Sequence, residues 1–211
     1  MEFCRLLQVP RGVTAIIGSG GKTTLLYLLA RELSRTGSVV VTTTTHIFLP
    51  PHLPFFESVK AVNGIAAVGT PCENGKLTAP RQSFEELEKL ADFVLVEADG
   101  SHRLPLKAHA PHEPVIPANA ARILTVVGAS GLNRPIAEVV HRPERFTALT
   151  GEPELATPRT VAAALIAEGL SECVVINQAD RAPDAAMELK ALLPYPTVVA
   201  ALEKEELLCS Y

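Results

Sequence analysis

Apolar positions in this chain fall in short continuous runs, and stretches of helical spacing or polar turns separate them. Val13–Ile17, Ser38–Thr45, Ile65–Gly69, Phe93–Asp99, Arg122–Ala129, Cys173–Ile176 and Thr197–Leu202 read as strands, rich in β-branched residues and of strand length. Leu25, Leu28, Leu29 and Leu33 share one helical face, and Gly37 is expected to close that helix in a left-handed cap. Ser83-Phe84-Glu85-Glu86 is a capping-box pattern that opens a short helix to about Leu90. Thr157-Pro158 supplies an N-cap and an N1 proline for a helix ending near Gly169, and Pro183–Leu193 reads as another. Strands without alternating polar positions must be covered on both faces. Their alternation with helices predicts an α/β fold with a mostly parallel sheet between helical layers.

The connections are distinctive. Ile47–Phe56 carries three prolines and reads as a loop packed down by, or lidded with, Phe48, Leu49, Phe55 and Phe56. Glu73-Asn74-Gly75-Lys76 reads as a hairpin turn. Ser101–Pro117 is expected to be extended and rigid, and His141–Phe146 to be a polar, charged connection.

Composition narrows the class. The 211 residues suit a single domain, 1–211. A net charge of −4 leaves no broad basic footprint, so nucleic acid is not an expected partner. No apolar run reaches the roughly 18–20 residues that span a bilayer, and the first ten residues lack the apolar core of a signal peptide. No membrane partner is expected. Cys4, Cys72, Cys173 and Cys209 are widely spaced, which suits reduced thiols, with Cys173 a small core residue.

Chemistry concentrates at Ala15–Thr24, where a strand runs into Gly18-Ser19-Gly20-Gly21-Lys22-Thr23-Thr24 and then into a leucine-rich helix. Strand, glycines, Lys-Thr and helix in that order make a phosphate cradle: amides and the helix N-terminus face the anion. Lys22 brings charge to the terminal phosphates and Thr23 a hydroxyl to Mg²⁺. Ile16 stands where the usual Gly-x-x-x-x-Gly-Lys-Thr pattern has its first glycine, so the loop is tighter and resembles that of Mur-type ligases. Glu97 and Asp99 end an apolar strand with the parity to share a face, the way such proteins bring an acid to Mg²⁺ and its water shell. Gly100 leaves room beside a γ-phosphate. Arg103, Lys107, His109 and His112 make the following segment locally positive, suited to an anionic substrate or to the phosphates themselves. His46, after the threonine-rich strand end, is a candidate with Asp99 for orienting a water or an acceptor hydroxyl. Asn177-Gln178-Ala179-Asp180 resembles the Asn-Lys-x-Asp box of GTPases, which makes Asn177 and Asp180 candidate base readers, with Gln178 in the place of the lysine.

The expected fold is therefore a three-layer, P-loop NTPase-like α/β domain that takes Mg²⁺ and ATP or GTP. The loop, Thr42–His46, Glu97-Ala98-Asp99-Gly100, Leu104–Lys107, His112–Pro117, His141-Arg142-Pro143-Glu144 and Asn177–Asp180 together resemble the YqeC family over nearly the whole chain. That family is described as accessory proteins of selenium-dependent molybdenum hydroxylases. The resemblance implies a cytoplasmic nucleotide-binding protein that helps to mature such a hydroxylase or its cofactor, with the hydroxylase or a cofactor-maturation protein as partner. Beside an Mg²⁺-dependent NTPase stand two alternatives: a small-molecule kinase or ligase, and a slow, metallochaperone-like GTPase switch.

Overall fold

A computed structural model of the protein describes residues 2–48 and 52–210, and all of their side chains but that of Asn74. Leu49, Pro50 and Pro51 of the expected proline-rich loop lie outside the described residues. By its contacts the chain divides into two compact units interleaved in sequence. The first takes Met1–Ile16, Leu25–Gly100 and Val115–Ile123; the second takes Ile17–Thr24, Ser101–Pro114 and Leu124–Tyr211.

The first unit begins with α1 (Phe3–Leu6) and most of β1 (Gly12–Gly18). It continues through α2 (Lys22–Leu33, from Leu25), β2 (Val39–Thr43), β3 (Ile47–Phe48), β4 (Phe55–Phe56) and β5 (Ile65–Val68). It is completed by β6 (Thr70–Cys72), β7 (Lys76–Thr78), α3 (Phe84–Leu90) and β8 (Phe93–Glu97). Its strands run parallel in the order β1-β8-β2-β5-β4, and β3, β7 and β6 form a small antiparallel sheet. Every residue of β1, β2 and β8 is buried, as continuous apolar runs require. Val13, Val40, Val94 and Val96 pack with Leu87 of α3 in one core cluster. The Ser83 capping box forms as expected: Ser83 Oγ accepts from the Glu86 amide, and Glu86 accepts from the Ser83 amide.

Gly37 departs from expectation. It is absent from the left-handed residues, and its glycine is required by space instead, since a Cβ there would meet Asp92 Oδ2 at 2.6 Å. Asp92 is held in place by the Ser38 amide at 2.8 Å and by Ser38 Oγ at 3.0 Å.

The second unit holds β9 (Leu106–Lys107), β10 (Ala120–Gly128, from Leu124), α4 (Ile136–Val139), β11 (Val140–His141) and α5 (Pro143–Thr150). It ends with α6 (Pro158–Glu168), β12 (Cys173–Asn177), α7 (Pro183–Leu192), β13 (Thr197–Ala201) and β14 (Glu206–Ser210). The pairs β10–β12 and β12–β13 are parallel, and β14 closes the edge antiparallel to β13. Phe146, Val161, Leu165, Ile176 and Leu189 share its core. Cys173 is fully buried, and none of the four cysteines is in a disulfide. The segment expected to be extended and the one expected to be a polar connection both carry regular elements. His141–Phe146 contributes the end of β11 and the start of α5, and β9, inside the proline-rich segment, pairs parallel with β11. The fold is α/β with a mostly parallel sheet. No helix among the described residues is long and apolar enough to cross a membrane.

Candidate functional site

The glycine-rich turn leaves β1 as its last residue, Gly18, adopts φ +92°. The Ser19 amide then donates to Val126 O at 2.8 Å, and Ser19 Oγ donates to the carbonyl of Leu104. Lys22 opens α2 and is 3% exposed. Its ammonium donates to Gly18 O at 2.7 Å and to Ser101 Oγ at 3.1 Å. The side chain therefore folds back along the loop and spans it. Thr23 is exposed in the first turn of α2 and Thr24 is half-buried.

The glycines serve the loop's surroundings as much as any ligand. At Gly20 (φ +79°) a Cβ would meet Gly128 Cα and N at 2.5 Å and Pro105 O at 2.7 Å. At Gly21 (φ +133°) it would run into the Asn177 amide. Asn177 is 2% exposed, and both ends of its side-chain amide are engaged. Nδ2 donates to Gly20 O at 2.8 Å, while Oδ1 accepts from Leu202 N at 2.9 Å. It ties the loop to the turn after β13, a task different from base reading. Asp180 pairs with Lys204 at 2.7 Å, and that hydrogen bond holds its carboxyl below the usual range. Gln178 stands at φ +59° and accepts from Ser130 Oγ at 2.5 Å.

In the first unit, Glu97 and Asp99 lie at the end of β8, 8% and 0% exposed. Thr43 Oγ1 donates to Glu97 O at 2.8 Å and accepts from Thr45 N at 2.9 Å, so this hydroxyl secures the strand end. The hydroxyls of Thr42 and Thr44 are buried with no hydrogen-bond partner among the described residues. Buried carboxylates beside unsatisfied hydroxyls suit the water shell of a divalent cation. Burial and the nearby Glu97 push the Tyr27 hydroxyl up to about 12. His46 is exposed beyond β2. A Cβ on Gly100 would meet nothing within 4 Å, so neither packing nor a left-handed φ demands glycine there. Among the described residues no group of three or more His, Cys, Asp or Glu side chains is arranged to hold a metal by itself.

The basic segment of the second unit is knit together by a carboxylate. Lys107 Nζ lies 2.8 Å from Glu113 Oε2, and Arg142 Nη2 lies 2.8 Å from Glu113 Oε1. The Lys107 side chain is 1% exposed, so its charge meets Glu113 rather than solvent. Burial pushes the Glu113 carboxyl up, but the hydrogen bonds and charges of Lys107 and Arg142 outweigh it and hold the group below its ordinary value. His109 donates its amide to Glu168 Oε1 at 2.6 Å, and its Nδ1 lies 2.8 Å from Glu168 Oε2. Arg103 and His112 are exposed.

His102 stacks on His141, with ring centroids 4.6 Å apart and planes inclined by 17°. Burial lowers the His141 pKa first; the charges of Arg142, His102 and Lys107 lower it further, against Glu113. A histidine depressed in the folded state stabilises most above its unfolded value near 6.5, and that contribution is lost as pH falls toward the folded value. His141→Gln is therefore expected to narrow the drop in Tm between pH 7.5 and 5.5, measured by thermal denaturation against wild type.

Sequence reading missed His141, Arg142 and Glu113 as members of one site. Their charge density was visible, but the β9–β11 pairing that assembles them has no periodicity to read.

A glycine-rich loop between a buried strand and a helix, in a mostly parallel α/β fold, is consistent with a three-layer, P-loop-like architecture. The family model described as "YqeC protein" matches residues 14–144, and the chain belongs to that family. It is similar to the "Uncharacterized protein YqeC" of Escherichia coli (strain K12), with 36% identity over 159 residues. That match covers 66% of this chain, and the chain spans about 60% of the relative's length.

Proposed function

We propose that the protein is an Mg²⁺-dependent nucleoside-triphosphate-binding protein that hydrolyses the nucleotide or transfers from it. The observation that carries this reading is Lys22, buried where the loop becomes helix, with its ammonium on the Gly18 carbonyl and the Ser101 hydroxyl. A terminal phosphate offers that ammonium a charged acceptor, and a charge-assisted bond is strong in a dehydrated setting. The amides of Gly20, Gly21 and Lys22 and the N-terminus of α2 supply the remaining donors. Thr23 is the hydroxyl assigned to Mg²⁺, which when bound would neutralise phosphate charge, and the sequence offers Glu97 and Asp99 as carboxylates for its water shell. Asp99 and His46 are assigned to orienting the water or acceptor hydroxyl.

The cluster around His141 and Arg142 supports a second reading, a small-molecule kinase or ligase with an anionic co-substrate held by Arg103 and its neighbours. The role as accessory factor in maturing a selenium-dependent molybdenum hydroxylase or its cofactor rests on the family resemblance.

The test is differential scanning with ATP, GTP and CTP, each with Mg²⁺, followed by phosphate release, for wild type and Lys22→Ala. A ligand at about a hundred times its Kd adds roughly 2.7 kcal/mol of stability. At least one nucleotide is expected to raise the Tm of wild type, and Lys22→Ala to lose both that rise and the turnover. Equal responses in the two proteins, or none to any nucleotide, would overturn the assignment.

A further inference from the structure

We propose that His102, His141 and Arg142 form an anion-binding subsite on the second unit, for a carboxylate or phosphate group of a small molecule distinct from the triphosphate. It deepens the two-substrate reading above by naming residues and ligand chemistry.

Four observations converge. The His102–His141 stack presents two imidazoles side by side, half-buried at His141 and exposed at His102. Arg142 follows His141 directly. One face of its guanidinium fork is committed to Glu113, while its Nε is buried with no hydrogen-bond partner among the described residues. Glu113 is shared by Lys107 and Arg142, so this trio keeps a net positive charge in the presence of its own carboxylate. Finally, His102 (φ +48°), Arg103 (φ +63°) and Arg142 (φ +69°) are all non-glycine residues in the left-handed region. Such backbone is unfavourable for residues with a Cβ and gathers where surrounding structure fixes side chains for a task.

The donors are thus held by backbone and packing before any ligand arrives. Arg142 is anchored by Glu113, His141 by its pairing to Lys107 in the β9–β11 ladder, and His102 by the stack. Preorganised donors lose little freedom on binding. Arg142 also stands at the N-cap of the eight-residue α5, which no side chain caps, so the helix end adds positive potential beside the fork. Glu144, the acidic residue of that first turn, is exposed. The subsite adjoins the loop in sequence: Ser101, which holds Lys22, immediately precedes His102.

The groups facing His141 set the pH dependence. Arg142, Lys107 and His102 disfavour its protonation and Glu113 favours it. An incoming anion adds to the Glu113 side of that balance, so binding should tighten as pH falls from 7.5 to 6.

The experiment is NMR of the histidine ring resonances, titrated with inorganic phosphate and separately with succinate. It is run in the Lys22→Ala background, so that the loop's own phosphate binding does not enter and a failure of the nucleotide assignment leaves the result readable. His102 and His141 signals, assigned by single substitution, are expected to shift saturably with at least one anion, at least threefold tighter at pH 6 than at 7.5. Arg142→Gln should weaken that binding at least fivefold. His102→Ala, which leaves the Glu113 ion pairs intact, should also weaken it. Whichever anion binds more tightly identifies the group as phosphate or carboxylate. Ring signals that ignore both anions, or that respond equally in Arg142→Gln and His102→Ala, would overturn the proposal.

Discussion

Glu113→Ala is expected to destabilise the protein by about 3–5 kcal/mol, the range for breaking a buried ion pair by removing one partner. Glu113 stands 2.8 Å from both Lys107 Nζ and Arg142 Nη2, and its side chain is 13% exposed. Without it, the Lys107 ammonium, 1% exposed, loses the Glu113 carboxylate in a place where water cannot replace it. The measurement is the urea midpoint, at constant m, for wild type and variant. Lys107→Met with Glu113→Leu should recover only part of the loss, because it removes the buried ammonium but still leaves Arg142 without the carboxylate that it shares. A midpoint unchanged in Glu113→Ala would mean that the pair is solvated and not a structural tie. Acid should act through the same group. Its folded pKa is below the unfolded one, so its contribution is present above about pH 4.5 and lost as pH falls through the folded value.

The second large effect is expected at Gly20. An alanine there takes on left-handed strain of about 1–2 kcal/mol and a clash worth about 1–3 more. The atoms in the way are Gly128 Cα and N and Pro105 O, all backbone, and none can swing aside. Gly20→Ala should therefore lower stability by about 2–5 kcal/mol and abolish any nucleotide-induced rise in Tm. Gly100→Ala makes the informative contrast, since its Cβ meets nothing within 4 Å and its φ is not left-handed. Its stability should stay within about 0.5 kcal/mol of wild type. A loss of nucleotide response there, with stability kept, would report on ligand space and not on folding. If Gly20→Ala keeps both stability and response, the loop is softer than its packing indicates.

These two sites differ in how much of them can be read along the chain. The loop is local: strand, glycines, Lys22 and helix follow one another, and the structure puts them in that order. The glycines are another matter. Their requirement comes from Gly128, Pro105 and Asn177, residues remote in sequence, and nothing in Gly18–Gly21 names those neighbours. Asn177 shows the same limit. Its four-residue box suggests base reading, yet in the fold its amide joins Gly20 to Leu202. A short motif specifies donor and acceptor types, and only the arrangement of the backbone decides what they meet. Gly37 likewise has the position of a left-handed cap, but α2 ends without one and the glycine makes room for Asp92.

By itself the sequence determined the α/β class, the buried strands and most helix ends, because these follow from apolar runs and capping residues within a few positions of each other. It determined the glycine-rich loop between strand and helix for the same reason. The tertiary structure alone decided that Lys107 is turned to Glu113, that Arg142 joins them, and that His102 stacks on His141. These contacts depend on two-residue strands that pair across long stretches of chain. Such strands are too short to carry a period, and their ion-pair partners are chosen by what the packed backbone brings within a few ångströms.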